Sequence, residues 1–283
     1  MVVSAGRHDG SDVEPRRKPA AGSANAAVWH DLECGSYTAD LPLWRELAGA
    51  PGERAVLDIG AGTGRVALDL AHQGHHVTAV DRDAALLVAL RERAHAATGA
   101  GTGTVEAVCA DARALALERE DFGVCLVPMQ TIQMFGGADG RAAFLRGARA
   151  HLAPGAVLAC AIVTEVDAFD CAAGDLGPSA ELARVAGATY ISRATLVHVG
   201  RRAVRIERER RIVAPEQPPG GSPGAPPSPA PAPALEHDVV ELDRVSVPQL
   251  EREGRDAGLT VMGTREIPAT SEHTASVAVI FGA

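Results

Sequence analysis

The feature that most constrains this chain is a short apolar strand that runs into a glycine-rich turn and then into a helix. Residues 55–59 read Ala-Val-Leu-Asp-Ile, residues 60–64 read Gly-Ala-Gly-Thr-Gly, and residues 65–74 place apolar side chains at helical spacing. Glycine lets the backbone turn sharply and lets a ligand approach without a Cβ in the way. The free N–H groups at the start of the following helix favour an anion or a carboxylate. The pattern therefore predicts a ligand-binding turn at the carboxyl end of a strand.

Apolar runs continue to alternate with segments of helical periodicity as far as residue 164. Strands are expected at residues 55–59, 76–80, 104–110, 123–129 and 156–164. Helices are expected at residues 65–74, 82–97 and 140–155, the last ended by Pro154-Gly155. This alternation is typical of right-handed βαβ units around a buried parallel sheet.

Beyond residue 187 the periodicity changes. Residues 188–200 and 202–213 alternate polar and apolar side chains, which predicts an antiparallel hairpin, and residues 236–246 are expected to add a third strand. The remaining expected elements are a helix at 247–258 with Ser246 as its N-cap and strands at 259–267 and 276–282. We therefore predict an α/β fold of the Rossmann-like, doubly wound type, mostly parallel, with an antiparallel β insertion.

Two segments have compositions that do not suit a packed core. Residues 1–27 are polar, with Gly, Pro, Ser and mixed charge, and are expected to form a disordered tail. Residues 214–234 hold half of the 18 prolines and are expected to form a disordered Pro-rich loop within the insertion at 188–245. Residues 28–283 are expected to form one domain, with residues 28–48 as an N-terminal cap and the insertion as a lid over the substrate.

Composition narrows the class of protein and of partner. The net charge is −9, from 36 acidic and 27 basic side chains, which argues against a nucleic-acid partner because such proteins present a basic face. No apolar run approaches the length of about 18 residues that a membrane span needs, and residues 1–27 lack the apolar core of a secretory signal. We expect a cytoplasmic protein, monomer or homodimer. The five cysteines form no C-x-x-C pair, so buried free thiols and no metal site are expected.

Two acidic side chains follow the next two predicted strands. Asp81 ends the second strand, where a carboxylate can accept both hydroxyls of a ribose. Asp111 follows the third strand, where a carboxylate can accept from an exocyclic amine. With the glycine turn, these residues supply contacts for the three parts of an adenosine-type ligand. The structural alternatives are a helix cap for Asp81, a simple turn residue for Asp111, and a purely structural left-handed turn for the glycines.

The spacing of the glycines separates two kinds of nucleotide-binding turn. A dinucleotide fold requires G-x-G-x-x-G, whereas this chain has glycines at 60, 62 and 64, with Arg65 at the third dinucleotide position. Asp58 also stands where a dinucleotide-binding protein usually has an apolar residue. Together, V-L-D-I-G-A-G-T-G at 56–64, V-T-A-V-D-R-D at 77–83 and C-A-D-A-R at 109–113 resemble the class I S-adenosylmethionine-dependent methyltransferases.

The resemblance covers roughly residues 28–283 and implies a seven-stranded, mostly parallel sheet with an antiparallel last strand. It implies S-adenosylmethionine as the cofactor and methyl transfer to a nitrogen or oxygen atom of a small-molecule methyl acceptor. The cofactor-binding residues that it implies are Gly60, Ala61, Gly62 and Gly64 at the methionine part with Asp58 nearby, Asp81 at the ribose, Arg82, Asp111 and Ala112 at the adenine, and Pro128 and Met129 at the sulfonium. The chain lacks an N-P-P-Y or D-P-P-Y signature, which disfavours a nucleobase as the acceptor.

No pattern marks the catalytic group. The candidates are Gln130, Gln133 and Tyr37. The alternative is a polar loop residue for each glutamine and core packing for Tyr37. The histidines expected around the substrate are His30, His198 and His237, and no spacing marks one of them as a general base. We therefore expect catalysis mainly by proximity and desolvation.

Two other functions stay open: a non-catalytic S-adenosylmethionine-binding or partner protein, and an NAD(P)-binding oxidoreductase. The run of arginines between 201 and 211 is interpreted as the solvated face of the hairpin, with binding of an anionic substrate as the alternative.

Overall fold

The computed structural model describes residues 25–50, 54–97, 103–214, 234–271 and 273–283. Its strands, in chain order, are Ala55–Ile59 (β1), His76–Asp81 (β2), Thr104–Cys109 (β3), Phe122–Val127 (β4), Leu152–Ile162 (β5), Phe169–Asp170 (β6), Glu181–Val185 (β7), Ala188–Val199 (β8), Ala203–Val213 (β9), Ala234–Asp243 (β10), Thr260–Ile267 (β11) and Ser276–Gly282 (β12). Its α-helices are Ala26–His30 (α1), Leu41–Ala48 (α2), Arg65–His72 (α3), Ala84–Ala96 (α4), Gly137–Ala150 (α5) and Val247–Asp256 (α6). A π-helical turn at Asp31–Gly35 follows α1 directly.

The larger sheet has seven strands in the order β11-β12-β5-β4-β1-β2-β3. Strand β12 runs antiparallel to both of its neighbours, whereas β5, β4, β1, β2 and β3 pair in parallel. Because successive side chains of a strand point to opposite faces, Leu57 and Ile59 join the core under α5 and α6, and Val56 joins the core under α2, α3 and α4. The predicted Rossmann-like α/β fold with an antiparallel last strand is confirmed.

An antiparallel second sheet is formed by β10, β9, β8 and β6, with β7 also paired to β8. The predicted hairpin and its third strand are present, since Val213 pairs with Thr189 and Ala203 with Asp243. The sheet begins at Phe169, earlier than the insertion predicted at 188–245. Strands β6 and β7 are short and lie among Gly, Pro and Asp residues, so they carry no clear alternation in the sequence.

The helix predicted at 140–155 is too long, and the strand predicted at 156–164 begins too late. Helix α5 ends at Ala150, and Pro154 and Gly155 lie within β5. The register between β4 and β5 shifts between Phe122 and Val124, which is a bulge. A bulge tolerates a proline and a glycine inside a strand, so these residues do not mark the end of the helix.

The predicted tail and Pro-rich loop lie mostly outside the described residues. Residues 1–24 and 215–233 are not described, while Ala26 and Ala27 already belong to α1 and Ala234 begins β10. None of the described helices combines the length and the apolar character that crossing a bilayer requires.

All five cysteines are free, as predicted, but they are not all buried. Cys125 and Cys160 are buried in the sheet, and burial raises the pKa of both thiols, which keeps them protonated. Cys109 is exposed at the end of β3, and Cys34 and Cys171 are partly buried.

A buried arginine joins the second sheet to the helices of the larger one. Arg141 on α5 is 2% exposed and donates from Nη1 to Asp243 Oδ2 at 2.8 Å and from Nε to Glu253 Oε2 at 2.7 Å. Asp243 ends β10 and also accepts from the Gly137 amide at 2.5 Å, and Glu253 lies on α6. Helix α5 therefore meets β10 and α6, which lie about a hundred residues later in the chain, at one guanidinium group.

Replacing Arg141 with alanine is expected to lower the free energy of unfolding by about 3–5 kcal/mol, because Asp243 and Glu253 lose their shared counter-charge in a partly buried position. Urea unfolding measures the loss. The matched control is Arg146→Ala, an exposed arginine on the same helix, which should change stability by no more than about 0.5 kcal/mol. Equal effects of the two substitutions would contradict a structural role for the Arg141 network.

Candidate functional site

The carboxyl ends of the central strands bring the predicted site residues to one edge of the sheet. The turn that follows β1, residues 60–64, is called the glycine turn below. Its Gly60 and Ala61 amides both donate to the carbonyl of Val80 on β2, at 2.8 and 3.1 Å. These bonds hold the turn against the end of β2, so Asp81 lies directly beside it.

Backbone conformation and packing both require glycine in this turn. Gly60, Gly62 and Gly64 have φ angles of +72°, +55° and +97°, a region that side-chain-bearing residues rarely adopt. A Cβ on Gly60 would lie 2.4 Å from Thr131 Cγ2, and a Cβ on Gly64 would lie 2.2 Å from Leu90 Cδ1. The glycines are thus needed for the turn itself, which is the structural alternative stated for them above.

Asp81 connects the glycine turn to the start of α4. Its Oδ2 accepts from the Gly62 amide and its Oδ1 accepts from the Asp83 amide, each at 2.8 Å. Asp83, not Asp81, is the N-cap of α4, because its side chain accepts from the Ala85 amide at 2.9 Å. A carboxylate offers about four acceptor positions, so Asp81 keeps acceptor capacity for a ligand.

Asp58 is a buried carboxyl group whose acceptor positions are unused. It is 1% exposed, and neither oxygen has a hydrogen-bond partner among the described residues. Burial raises its pKa to about 7, against the opposing effect of Arg65 and with a smaller upward contribution from Asp81. The nearby amide of Ala67 lowers the pKa of Asp58 somewhat, although the amide and the carboxyl group do not meet the geometry of a hydrogen bond. Two acidic groups near one turn suit a ligand that carries positive charge.

Asp111 lies after β3 and makes local contacts in the structure. It accepts from the Arg113 amide at 2.9 Å and pairs with the Arg113 guanidinium at 2.6 Å. These hydrogen bonds lower the pKa of Asp111 to about 2, so the group is ionised. It caps a short 3-10 turn at Ala112–Ala114, in which Ala112 is buried. The predicted turn-residue role is therefore present, and the carboxylate is half exposed toward the same edge of the sheet.

Backbone strain occurs where β4 ends. Met129 has a φ of +54°, in the left-handed region, although it carries a side chain. Such conformations are costly and are concentrated at functional sites. Pro128, before Met129, is buried, and Gln130, after it, is partly buried. Gln130 precedes a 3-10 turn at Thr131–Met134 and makes no side-chain capping hydrogen bond to it. The strain therefore coincides with the residues predicted to face the reacting atoms.

Gln133 has no free polar group for catalysis. Its Nε2 donates to the carbonyls of Val163 at 3.1 Å and Asp243 at 2.9 Å, and its Oε1 accepts from the Val163 amide at 2.8 Å. The side chain is 3% exposed. These bonds tie the end of β5 to the end of β10, which is a structural role.

Tyr37 belongs to the N-terminal segment and packs in the core. Its ring lies 4.6 Å from that of His273 and 5.2 Å from the Arg65 guanidinium, and its carbonyl accepts from Arg65 at 2.7 Å. Burial raises the pKa of the phenol. Core packing, the alternative stated for Tyr37, describes these contacts.

Residues 25–40, which overlap the N-terminal cap predicted at 28–48, lie directly over the glycine turn and are called the cap from here on. His30 Nδ1 is 3.2 Å from Thr63 Oγ1, which donates to Asp31 Oδ1 at 2.7 Å. Asp31 also pairs with Arg93 of α4 at 2.5 Å. Sequence reasoning did not find these contacts, because their partners are 32 to 62 residues apart and no local spacing links them.

The opposite side of the cap is bound to the second sheet. Glu33 accepts two hydrogen bonds from Arg210, both at 2.7 Å, and one from Ser192 Oγ at 2.7 Å. The Trp29 and Tyr190 rings meet edge to face, with centroids 5.0 Å apart. The interpretation of the arginine run as a solvated face is wrong for Arg210, whose side chain is 15% exposed and points inward. The strand register places it opposite Ser192, which is buried.

The chain shares one stretch with a known family and its fold with several solved structures. Residues 56–155 match the family described as a methyltransferase domain. No curated protein matches the chain. The fold is similar to that of a sugar N-methyltransferase from a Streptoalloteichus species, with a TM-score of 0.64, 17% identity, and coverage of 96% of this chain and 99% of that one.

Two further solved structures show the same similarity. An S-adenosylmethionine-dependent methyltransferase from Clostridium acetobutylicum has a TM-score of 0.62 and 13% identity, covering 91% of this chain and 96% of its own. An amino pentose methyltransferase from Micromonospora echinaspora, solved with S-adenosylmethionine bound, has a TM-score of 0.57 and 17% identity, covering 93% and 99%. At these identities the likeness is one of fold.

The isolated carboxyl of Asp58 predicts a pH-dependent stability. Its pKa of about 7 in the folded chain exceeds the ordinary value of 3.8, so the folded state holds the proton more tightly. Wild-type stability should therefore fall as the pH rises between these values and change no further above pH 7. In Asp58→Asn this contribution is absent. The free energy of unfolding of the variant should therefore increase relative to that of wild type by on the order of 2–3 kcal/mol between pH 5 and pH 8.

Urea unfolding of the ligand-free chain at the two pH values measures this gain. Asp256→Asn, on the exposed last turn of α6, is the control and should show no such gain. A constant difference between Asp58→Asn and wild type at both pH values would show that Asp58 is solvated or paired.

Proposed function

We propose that this chain is a class I methyltransferase that uses S-adenosylmethionine and transfers its methyl group to a nitrogen or oxygen atom of a small molecule. The proposal rests on one observation within the matched residues. The glycine turn is bonded to Asp81 and directly follows the strand that carries the unpaired, buried carboxyl group of Asp58. Similar structures described as a sugar N-methyltransferase and an amino pentose methyltransferase support a small-molecule acceptor.

The residues at the carboxyl edge fit the cofactor. The glycine turn would hold the methionine part, with Asp58 nearby, and Asp81 would accept from the ribose hydroxyls with its remaining lone pairs. Asp111 would accept from the adenine amine, beside Arg82 and Ala112. Two acidic groups near the turn would favour a positively charged ligand, because opposite charges attract most strongly where water is excluded.

Bound S-adenosylmethionine supplies a methyl group on a positively charged sulfur. The protein has to hold the acceptor atom in line with that bond, and good alignment can lower a barrier by about 7–11 kcal/mol. Pro128 and Met129 would shape this position, and their location after β4 at the same edge supports that role. With Gln133 bonded to the main chain and Tyr37 in the core, we infer that proximity and desolvation, rather than a dedicated base, drive the transfer.

A cavity beside this edge has the size of a small-molecule site. Its volume is about 520 Å³, and it opens between the end of β5 and the second sheet. Gln133 and Val163 line it on one side and Val204 and Leu242 on the other. Typical ligand pockets measure about 300–1,000 Å³. A cavity of about 510 Å³ at the amino edge, next to Arg54, lies at the opposite end of the strands and is not assigned to the reaction.

The second sheet and the cap would close the site on two sides. The ion pair between Glu33 and Arg210 holds these elements together, and such lids exclude water and select the substrate. A cytoplasmic location is part of the proposal and is supported by the free cysteines. We also propose that the protein is a monomer or homodimer. We propose that it binds no nucleic acid, because its net charge is −9.

Asp81→Ala is expected to weaken S-adenosylmethionine binding by roughly 10- to 100-fold, the loss that removal of hydrogen bonds to a charged group produces. Isothermal titration calorimetry with S-adenosylmethionine measures the change. The control is Asp121→Ala, which removes an exposed carboxylate at the amino edge of the sheet and should bind as wild type does. Absence of binding to the folded wild-type chain would refute the proposed function.

Methyl transfer is tested directly with isotope-labelled S-adenosylmethionine and a panel of small amines, amino sugars, phenols and alcohols. Label is expected in at least one low-molecular-weight product. If the acceptor is an amine, the rate should rise with pH up to the pKa of that amine, because only the neutral amine has a free lone pair. Cofactor binding without any transfer would favour a non-catalytic binding protein, and NAD(P) binding in its place would favour an oxidoreductase.

A further inference from the structure

The side chain nearest to the position that a Cβ of Gly62 would occupy comes from the cap. A Cβ built on Gly62 would lie 2.2 Å from Nε2, 2.4 Å from Cε1 and 3.1 Å from Cδ2 of His30. Three ring atoms so close to one point mean that the imidazole packs against the turn in the space that a side chain would fill. Gly62 is also the residue whose amide binds Asp81. His30 thus covers the middle of the turn, beside the proposed ribose contact.

The hydrogen bonds around Thr63 determine which nitrogen of His30 carries the proton. Thr63 Oγ1 has one proton, which it donates to Asp31 Oδ1 at 2.7 Å. The same oxygen must therefore accept from His30 Nδ1, 3.2 Å away. In the neutral ring, Nε2 is then unprotonated, and it is the ring atom closest to Gly62. The covering side chain is an uncharged imidazole held by one neutral hydrogen bond.

The position of His30 is maintained from both sides of the cap. Asp31, the next residue, is held by Thr63 and by the partly exposed Arg93. On the other side, Trp29 packs on Tyr190. The imidazole therefore needs no ligand to stay on the turn.

We propose that His30 competes with the cofactor for the glycine turn, so that the cap must release its imidazole from Gly62 before S-adenosylmethionine binds. This inference rests on the proposed function, because it takes the glycine turn as the place of the methionine part. The measured affinity is then the intrinsic affinity reduced by the fraction of molecules whose turn is uncovered. His30 sets cofactor affinity without being a ligand of the cofactor.

The charges around His30 give the competition a pH dependence. Burial lowers the pKa of His30, although Asp31, Asp81 and Glu33 act in the opposite direction and Arg65 adds to the lowering. Arg93, paired with Asp31, faces the same group. A released imidazole regains a pKa near its ordinary value of 6.5. Release is therefore coupled to proton uptake, so the affinity of wild type should increase relative to that of His30→Ala as the pH falls from 8 toward 6, because the titration of Asp58 affects both proteins alike.

Titration calorimetry of S-adenosylmethionine with the full chain tests the competition. His30→Ala is expected to bind about fivefold or more tightly than wild type at pH 8, at the lower end of the usual range of couplings. The matched control, His72→Ala on the exposed last turn of α3, should bind as wild type does. Weaker binding by His30→Ala would make His30 a direct ligand, and unchanged binding would make the contact passive; each result overturns the proposal.

Two further measurements keep the test independent of how well His30→Ala folds. Thr63→Val removes the hydroxyl that holds both His30 and Asp31 and should also tighten binding. Titrations near pH 6 in buffers of different ionisation enthalpy should show more proton uptake on binding by wild type and His72→Ala than by His30→Ala. Equal proton uptake by wild type and His30→Ala overturns the proposal. If no variant and no wild-type sample binds S-adenosylmethionine, the proposed function itself has failed.

Discussion

The structure of the site depends on how the glycine turn is bonded to β2. The amides of Gly60 and Ala61 donate to Val80, and the amide of Gly62 donates to Asp81. A left-handed turn has few hydrogen bonds of its own, so these bonds to the neighbouring strand keep it in one conformation. Because Asp81 is part of that support, the residue expected to bind a ribose also shapes the turn beneath it.

The cap makes hydrogen bonds and ion pairs with both this turn and the second sheet. One side of it is bonded to Thr63 and Arg93, and the other side is bonded to Arg210 through Glu33. The pair between Glu33 and Arg210 is partly buried, where removal of one charge leaves the other unsatisfied. The cap is therefore bonded both to the glycine turn and to the second sheet, beside which the acceptor is proposed to bind.

Much of the fold could be predicted from the sequence because it depends on local patterns. The strand–turn–helix unit and the N-cap at Ser246 follow from periodicity and from side-chain chemistry within a few residues. The end of α5 was missed because Pro154 and Gly155 usually stop a helix, whereas here a bulge in β5 accommodates them. Strands β6 and β7 were missed because pairing with β8, rather than their own pattern, makes them strands.

The sequence by itself determined the parts of the site that lie at strand ends, since the order of a parallel sheet brings Asp58, Asp81 and Asp111 to one edge. Only the tertiary structure decided what surrounds them. It placed His30 on Gly62, more than thirty residues away along the chain, where no local spacing could show it. The physical reason is that periodicity reports which face of an element is buried, whereas the partner of a buried polar group is set by contacts between elements.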